Sequence, residues 1–240
     1  MLFCFTVGVE GTGHHMVRAL LHTQMQRDRF IDQGGWHEAM VTHWDPRTRH
    51  QKVNALQQDL KSVFQEAAQQ GATHLYESAS FPFNQPRDAL RRPDILEFLS
   101  LTQGLVRCRF LVLYRCPKAS TFSAVRRGFT DDVLKQARIV EANHRFIAQQ
   151  LQQCPRESYR VLRYEDFMAR PRDFQRALAE WWELDPFALA LDLSRLKPSY
   201  PWDRVPKDTR AVLDAFFSAK KRALWEPAYG NSPLLDCVTG

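Results

Sequence analysis

The sequence lacks any apolar run close to the roughly 20 residues that a membrane-spanning helix needs. It also lacks a basic N-terminal region followed by a long apolar stretch, so we expect no signal peptide. The five cysteines are scattered and form no C-x-x-C pair, which is typical of reduced thiols in a cytosolic protein. These absences together predict a cytoplasmic protein without a membrane span.

The charge balance is moderately basic. Lys and Arg total 33 against 27 Asp and Glu, which gives a formal net charge of +6. This charge suits an anionic ligand, but no basic run is interleaved with stacking aromatic residues, so the sequence predicts no nucleic-acid partner. With 240 residues, 44% of them hydrophobic, the chain is expected to form one domain over residues 1–240. The sequence does not indicate an oligomeric state.

Short apolar runs alternate with longer helical patterns along the chain. Strands are predicted at 2–8, 73–78, 108–115 and 159–164, helices at 13–26, 49–71, 94–104, from Lys118, 131–154, 167–183 and 207–226, and loops at 27–50 and 185–206. The strands lack polar alternation, which is typical of a parallel sheet buried on both faces. We therefore expect an α/β fold of the three-layer P-loop type, with a mainly parallel central sheet of about four to five strands flanked by helices.

The stretch "VGVEGTGHH" places Gly8, Gly11 and Gly13 between the first strand and the first helix. A glycine-rich turn at this point lets backbone N–H groups point at a phosphate, assisted by the helix N-terminus. In a nucleoside-triphosphate loop, Lys and then Ser or Thr follow the last glycine, but here His14 and His15 do. The Ser or Thr hydroxyl of such a loop binds Mg²⁺, which prefers oxygen ligands, so His15 is a poor replacement. The stretch therefore predicts a loop that binds an anion without Mg²⁺. A tight turn with a purely structural role is the alternative.

A second basic segment, "LVLYRCPKASTFSAVRR", follows the third predicted strand. Arg115 ends that strand, Pro117 can open the next helix, and Ser123 comes early in that helix. Arginine binds phosphate through a charge-assisted fork and serine through its hydroxyl, so both side chains can reach one phosphate. The alternative for Arg115 is an ordinary charge at a strand end. Arg126 and Arg127 are predicted to be solvated helix residues.

With these two segments the sequence resembles the sulfotransferases that use 3′-phosphoadenosine 5′-phosphosulfate (PAPS), and its motifs are most similar to the carbohydrate and heparan-type branch. In that family a G-T turn binds the 5′-phosphosulfate, and R-x-P-x-x-x-x-x-S binds the 3′-phosphate. The segment "RCPKASTFS" matches at Arg115, Pro117 and Ser123. The segments "RVLRYEDF", which contains Tyr164, and "VLDAFFSAKKRALWEPAYG" resemble the late strand and the terminal helix. The resemblance spans about residues 3–230.

The resemblance implies binding of PAPS, formation of 3′-phosphoadenosine 5′-phosphate (PAP), and no metal. It also implies a set of nucleotide-binding residues: Gly8, Glu10, Gly11, Thr12, Gly13, His14, Arg115, Ser123 and Tyr164. The reaction it implies is direct in-line transfer of a sulfuryl group to a hydroxyl of a carbohydrate or another small polar acceptor.

The first loop departs from the family pattern, which usually has Lys or Arg two residues before G-T. This sequence has Val9 there, followed by Glu10, whose charge is unfavourable beside phosphate unless it is paired or turned away. We expect His14 or His15 to replace the cation, helped by Arg18, with a protonated imidazole stabilising the departing phosphate. The alternative is that the two histidines only begin the helix.

A catalytic base is predicted in "YESASFPF", which resembles the family's glutamate segment without its lysine. Glu77, expected at the end of the second strand, would take the proton from the attacking hydroxyl. His37 and His43 are rival bases, and with Trp36 and Trp44 they are predicted to line the acceptor pocket. A surface carboxylate is the alternative for Glu77, and a core or lid role is the alternative for the tryptophans.

Other chemistries fit the sequence less well. A kinase or NTPase of the same architecture would need the missing Lys-[Ser/Thr] pair, whereas Val9 and Glu10 suit a degenerate sulfotransferase homologue without catalysis. No Cys–His–acid pattern accompanies Cys116, and the histidines lack metal-ligand spacing, so neither covalent catalysis nor a metal site is predicted.

Overall fold

The computed structural model describes residues 1–25, 30–32, 49–81, 93–185 and 200–235. Its strands are β1 (Leu2–Val9), β2 (Phe30–Asp32), β3 (His74–Phe81), β4 (Arg107–Tyr114) and β5 (Tyr159–Arg163). They form one sheet in the order β2-β3-β1-β4-β5, and every neighbouring pair is parallel. Helices cover both faces, so the expected three-layer α/β fold of P-loop type is confirmed.

The α-helices are α1 (His14–Met25), α2 (Arg49–Gln69), α3 (Ile95–Thr102), α4 (Pro117–Arg126), α5 (Val133–Leu151), α6 (Tyr164–Ala169), α7 (Pro171–Trp181), α8 (Lys207–Phe216) and α9 (Ala219–Arg222). Short 3₁₀ turns lie at Arg156–Ser158, Trp202–Arg204 and Glu226–Gly230. The single helix predicted over 207–226 is wrong, because the helical backbone stops at Phe217. That side chain is buried in the core, and α9 starts only after it.

Two strand predictions also differ from the structure. The stretch 27–50 contains β2, whose three residues are too few to show a period in the sequence. The second predicted strand is longer than expected and runs to Phe81. Glu77 therefore lies in the middle of β3 and not at its end, opposite Phe5 of β1.

The sheet separates two hydrophobic clusters. One face packs on α2, α3, α5 and α8 through an aromatic cluster that includes Phe3, Phe5 and Phe98. The other face packs on α1, α6 and α7, with Val17 and Trp182 among its buried residues. Among the described residues, no helix combines the length and the apolar character that crossing a membrane requires.

The strand order fixes where a ligand can bind. After β1 the chain builds β2 and β3 on one side, and after β3 it continues to β4 and β5 on the other side. Ligands of open α/β sheets bind beyond the carboxyl ends of the strands, where the order reverses. The segments that follow β1 and β4 meet at that edge, and both are the segments predicted to bind anions.

Candidate functional site

The turn after β1 is closed by its own hydrogen bonds. Both the amide and the hydroxyl of Thr12 donate to the Val9 carbonyl, at 3.2 and 2.6 Å. The Thr12 side chain is fully buried, so its hydroxyl stabilises the turn through this internal hydrogen bond. A methyl group on Gly8 would lie 2.8 Å from Thr12 Oγ1, so Gly8 allows the close packing of loop and strand. These residues determine the path of the backbone.

Helix α1 begins at the end of this loop. The Gly13 carbonyl accepts hydrogen bonds from the amides of Met16 and Val17, so Gly13 is the residue before the first helical turn. The first amides of an α-helix have no partner within the helix, and the helix dipole adds positive potential there. Gly11 and Gly13 have φ angles of +86° and +113°, which a residue with a side chain rarely adopts. The glycines are therefore required by the backbone that presents these amides.

Glu10, the acid within the loop, is paired. Its carboxylate lies 2.7 Å from Arg127 Nη2 and accepts a hydrogen bond of 2.5 Å from the Ser80 hydroxyl. The Glu10 amide also donates to the Phe81 carbonyl at 2.8 Å. The carboxylate is thus held between β3 and the end of α4, and its charge is compensated. Arg127 is engaged in this pair, so its predicted role as a solvated residue is only partly right.

His14 lies at the start of α1 with Nδ1 3.0 Å from the hydroxyl oxygen of Ser78. Its Nε2 is buried. Burial lowers the pKa of His14 to about 4, although the nearby Glu10 carboxylate and a hydrogen bond with the Gly8 backbone act to raise it. The imidazole is therefore neutral at pH 7 in the ligand-free protein, and a protonated His14 would require a bound anion. His15 and Arg18 are exposed on the same helix.

Arg115 follows β4 and reaches the loop after β1. Its Nη1 donates a hydrogen bond of 2.8 Å to the Gly11 carbonyl, and its guanidinium carbon lies 4.3 Å from the centre of the Tyr164 ring. Burial lowers the pKa of this guanidinium, but an arginine starts so far above neutrality that the group stays charged. The predicted strand-end arginine is thus in direct contact with the predicted anion loop.

Tyr164 closes the same site from the end of β5. A methyl group on Gly13 would lie 3.0 Å from Tyr164 Cδ2, so the ring packs directly on the loop. The ring is buried, and the neighbouring Glu165 carboxylate accepts a hydrogen bond of 3.0 Å from the Cys116 amide. The segment after β5 therefore contacts both the loop and the start of α4.

Helix α4 contributes the next part of the site. A methyl group on Gly11 would lie 3.1 Å from the Ser120 carbonyl oxygen and 3.6 Å from Ser123 Cβ, so the loop packs closely on the first turns of α4. Beside Arg115 a cleft opens that has cationic, hydroxyl and aromatic walls. The cleft is lined by Arg115, Ala119, Phe122, Ser123, Arg126, Tyr164, Tyr200 and Trp202. Such a lining suits an anion attached to an aromatic ring system.

The cleft also contains residues that no sequence pattern assigned to a site. Arg126 lies with its guanidinium carbon 5.1 Å from the centre of the Tyr200 ring, and Phe122 packs on the same ring. Phe122 and Arg126 lie one helical turn apart, so their spacing in the sequence places both side chains on the same face of α4. Tyr200 and Trp202 come from a distant segment, and no local pattern links them to α4.

Glu77 is buried, with 4% of its surface exposed. Its carboxylate accepts a hydrogen bond of 2.8 Å from the Ser78 amide. Because side chains alternate along a strand, Glu77 lies on the opposite face of β3 from Ser78, which contacts His14, and from Ser80, which contacts Glu10. The predicted base is therefore enclosed, and its role stays a prediction.

Other predicted residues lie outside the described residues. These are Trp36, His37, His43 and Trp44, the predicted acceptor residues. Among the described residues, no group of three or more metal-ligating side chains is found. Cys116 is a free, partly exposed thiol at the start of α4.

The fold can be compared with known proteins. No protein-family model matches the sequence, and no curated protein has a matching sequence. Among solved structures, a sulfotransferase from Alicyclobacillus acidocaldarius is similar with a TM-score of 0.57 and 15% identity, covering 95% of each chain. The sulfotransferase domain of the Synechococcus PCC 7002 olefin synthase has a TM-score of 0.55 and 14% identity, over 95% of this chain and 94% of that chain.

A third similar structure is the sulfotransferase domain from the curacin biosynthetic pathway. It has a TM-score of 0.52 and 12% identity, and the match covers 88% of this chain and 95% of that chain. Sequence identity this low establishes the architecture and not the activity. The chain therefore has the fold of sulfotransferase domains.

Proposed function

We propose that the protein transfers a sulfuryl group from PAPS to a hydroxyl of a carbohydrate or another small polar acceptor. The observation that carries this proposal is the contact between the two anion-binding segments, in which Arg115 donates to the Gly11 carbonyl. One nucleotide with phosphates at both ends of its ribose suits such a site, because each segment can hold one anionic group. The sulfotransferase-domain fold supports the same proposal.

The residues that would hold the nucleotide come from both segments. The amides of Gly11, of Gly13 and of the first turn of α1 would bind the 5′-phosphosulfate, where the helix dipole favours an anion. Arg115 and Ser123 would bind the 3′-phosphate, the arginine by a charge-assisted fork. Tyr164 and the aromatic residues of the cleft would pack against the nucleoside.

The proposed reaction is a direct displacement at sulfur. The acceptor oxygen forms a bond to sulfur while the bond from sulfur to the 5′-phosphate oxygen breaks, and the electron pair of that bond leaves with PAP. The proton of the acceptor hydroxyl passes to a base, for which we propose the Glu77 carboxylate. Positioning and electrostatic stabilisation of the leaving phosphate carry most of the rate enhancement in such a transfer.

His14 would serve the leaving phosphate. In one tautomer, His14 Nδ1 accepts a hydrogen bond from the Ser78 hydroxyl and Nε2 carries the proton. In that tautomer Nε2 would donate a hydrogen bond to an oxygen of the leaving phosphate. As negative charge develops on the phosphate oxygen, this hydrogen bond strengthens and the pKa of the imidazole rises. His14 thus provides at the loop what the absent lysine or arginine would provide as a fixed charge.

The direct test is a thermal-shift comparison of PAP with Mg·ATP at equal concentration. A ligand that binds only the folded state adds about 2.7 kcal/mol of stability at 100 times its Kd, so PAP should raise the melting temperature clearly more than Mg·ATP. A larger shift with Mg·ATP would favour a kinase or NTPase and overturn the proposal. Binding of PAP without transfer from PAPS to a panel of sugars and polar hydroxyl compounds would favour a non-catalytic nucleotide-binding protein.

A further inference from the structure

We propose that Arg127 is a positioning residue of the anion-binding loop, which compensates the charge of Glu10 and ties the loop to α4 without contacting the ligand. This inference rests on the proposed function, because it assigns a role in the same site. The anion-binding loop consists of residues 10–13.

The guanidinium of Arg127 is held on three sides. Its Nη2 pairs with the Glu10 carboxylate at 2.7 Å, and its Nε donates a hydrogen bond of 3.2 Å to the Ser123 carbonyl. The guanidinium carbon also lies 4.7 Å from the centre of the Phe129 ring. The arginine therefore links the loop to the backbone of the serine that we propose for the 3′-phosphate.

Glu10 is also held from the side of the sheet. The Ser80 hydroxyl donates to its second carboxylate oxygen at 2.5 Å, and its own amide donates to the Phe81 carbonyl at 2.8 Å. Only 14% of the side chain is exposed. Glu10 thus joins the end of β3 to the end of α4, and the amides of Gly11 and Gly13 follow it in the chain.

The pair with Arg127 compensates the negative charge that Glu10 brings to the anion-binding loop. An uncompensated carboxylate beside the loop would repel a phosphosulfate, and its partial burial would make that repulsion stronger than it is in water. Removing one partner of a partly buried ion pair leaves the other charge unbalanced. Arg127 therefore affects ligand affinity through Glu10.

The proposal is tested by isothermal titration calorimetry on the full chain with PAP, adenosine 5′-phosphate and adenosine 3′-phosphate. Arg127→Met should weaken the binding of PAP and of adenosine 5′-phosphate by about tenfold or more, because the unbalanced Glu10 carboxylate would repel the anion that the loop binds. Adenosine 3′-phosphate, which lacks the group that the loop binds, should change by less than about twofold. Arg145→Met is the matched control, since Arg145 forms a comparable 2.8 Å pair with Glu141 on α5.

A double variant separates positioning from direct contact. If Arg127 acts through Glu10, combining Glu10→Gln with Arg127→Met removes the unbalanced charge and should recover at least about threefold of the lost affinity. Arg127→Lys keeps the charge and should retain most of the binding. A double variant as weak as Arg127→Met alone would mean that Arg127 contacts the phosphate itself, and the proposal would be overturned.

Hydrogen exchange of the ligand-free protein provides a readout that does not depend on any nucleotide. Arg127→Met should speed amide exchange about tenfold or more in a peptide covering the loop, whereas Arg145→Met should leave that peptide unchanged. Unchanged exchange in Arg127→Met would overturn the proposal. If the wild-type protein binds none of the three nucleotides, the proposed function fails, and the exchange result still decides whether Arg127 positions the loop.

Discussion

The Arg115 guanidinium donates a hydrogen bond of 2.8 Å to the Gly11 carbonyl, which joins the segment after β4 to the loop after β1. The two strands are neighbours in the sheet and both end at the carboxyl edge. The same guanidinium lies over Tyr164 at the end of β5. Three consecutive strands of the sheet order, β1, β4 and β5, therefore contribute to one site.

Replacing Arg115 should weaken nucleotide binding strongly. Arg115→Ala removes a buried charge that would bind the 3′-phosphate, and charged hydrogen bonds contribute about 1.5–3 kcal/mol, so we expect a loss of roughly 10–150-fold in PAP affinity. Adenosine 5′-phosphate should lose much less. Titration calorimetry with both ligands measures the difference, with Arg145→Ala as the control for loss of a distant arginine. An equal loss for both ligands would show that Arg115 acts only by supporting the loop.

The conformation of Gly13 should be essential to the loop. Gly13→Ala combines a φ of +113° with a Cβ only 3.0 Å from the Tyr164 ring, so the loop or the ring must move. Gly71→Ala is a suitable control, because Gly71 has a φ of +75° but a methyl group there would meet no other atom within 4 Å. The control substitution should lower the free energy of unfolding by only about 1–2 kcal/mol. We expect Gly13→Ala to lower the melting temperature more and to abolish PAP binding. Equal effects of the two variants would contradict this prediction.

Nucleotide binding should be linked to proton uptake by His14. Burial lowers its pKa to about 4 in the free protein, and a bound phosphate should raise the pKa in the complex. The complex then holds more protons than the free protein between these two values, so affinity should rise as the pH falls from about 7 towards 4. Titrations in buffers of different ionisation enthalpy count the protons taken up.

The control for His14 is the variant His14→Gln, which keeps a polar side chain beside Ser78. The phosphates of PAP titrate near pH 6 themselves, so the informative quantity is the difference between the wild-type and His14→Gln profiles. We expect proton uptake between pH 5 and 7 to be smaller in the variant. Identical profiles would show that His14 stays neutral in the complex and acts only as a neutral donor.

The fold was largely predictable because its strong signals are local. β1 and most of β4 are apolar runs between helical patterns, and such runs identify a buried parallel sheet without any knowledge of the strand order. β2 was missed because three residues show no periodicity. The break after α8 was missed because it depends on Phe217 turning into the core, and an amphipathic pattern alone continues through that residue.

The candidate site was predictable only within each strand–turn–helix unit. The glycines of the loop and the spacing of Arg115 and Ser123 are short-range patterns that have a direct physical meaning. The contact of Arg115 with Gly11 joins residues 104 positions apart, and the pair of Glu10 with Arg127 joins residues 117 positions apart. Such contacts depend on which strands are neighbours, and the sequence does not contain that information in any local form.

Glu77→Gln should abolish sulfuryl transfer while leaving PAP binding within about twofold of wild type. The amide oxygen of Gln can still accept the hydrogen bond from the Ser78 backbone, so the fold should persist, but an amide cannot take the acceptor proton, and general-base catalysis is worth about 10²–10⁴-fold in rate. Single-turnover assays with PAPS measure this loss. Glu10→Gln is the comparison carboxylate, and its effect should fall on nucleotide affinity. Loss of the chemical step in Glu10→Gln with normal turnover in Glu77→Gln would instead assign the base to the loop.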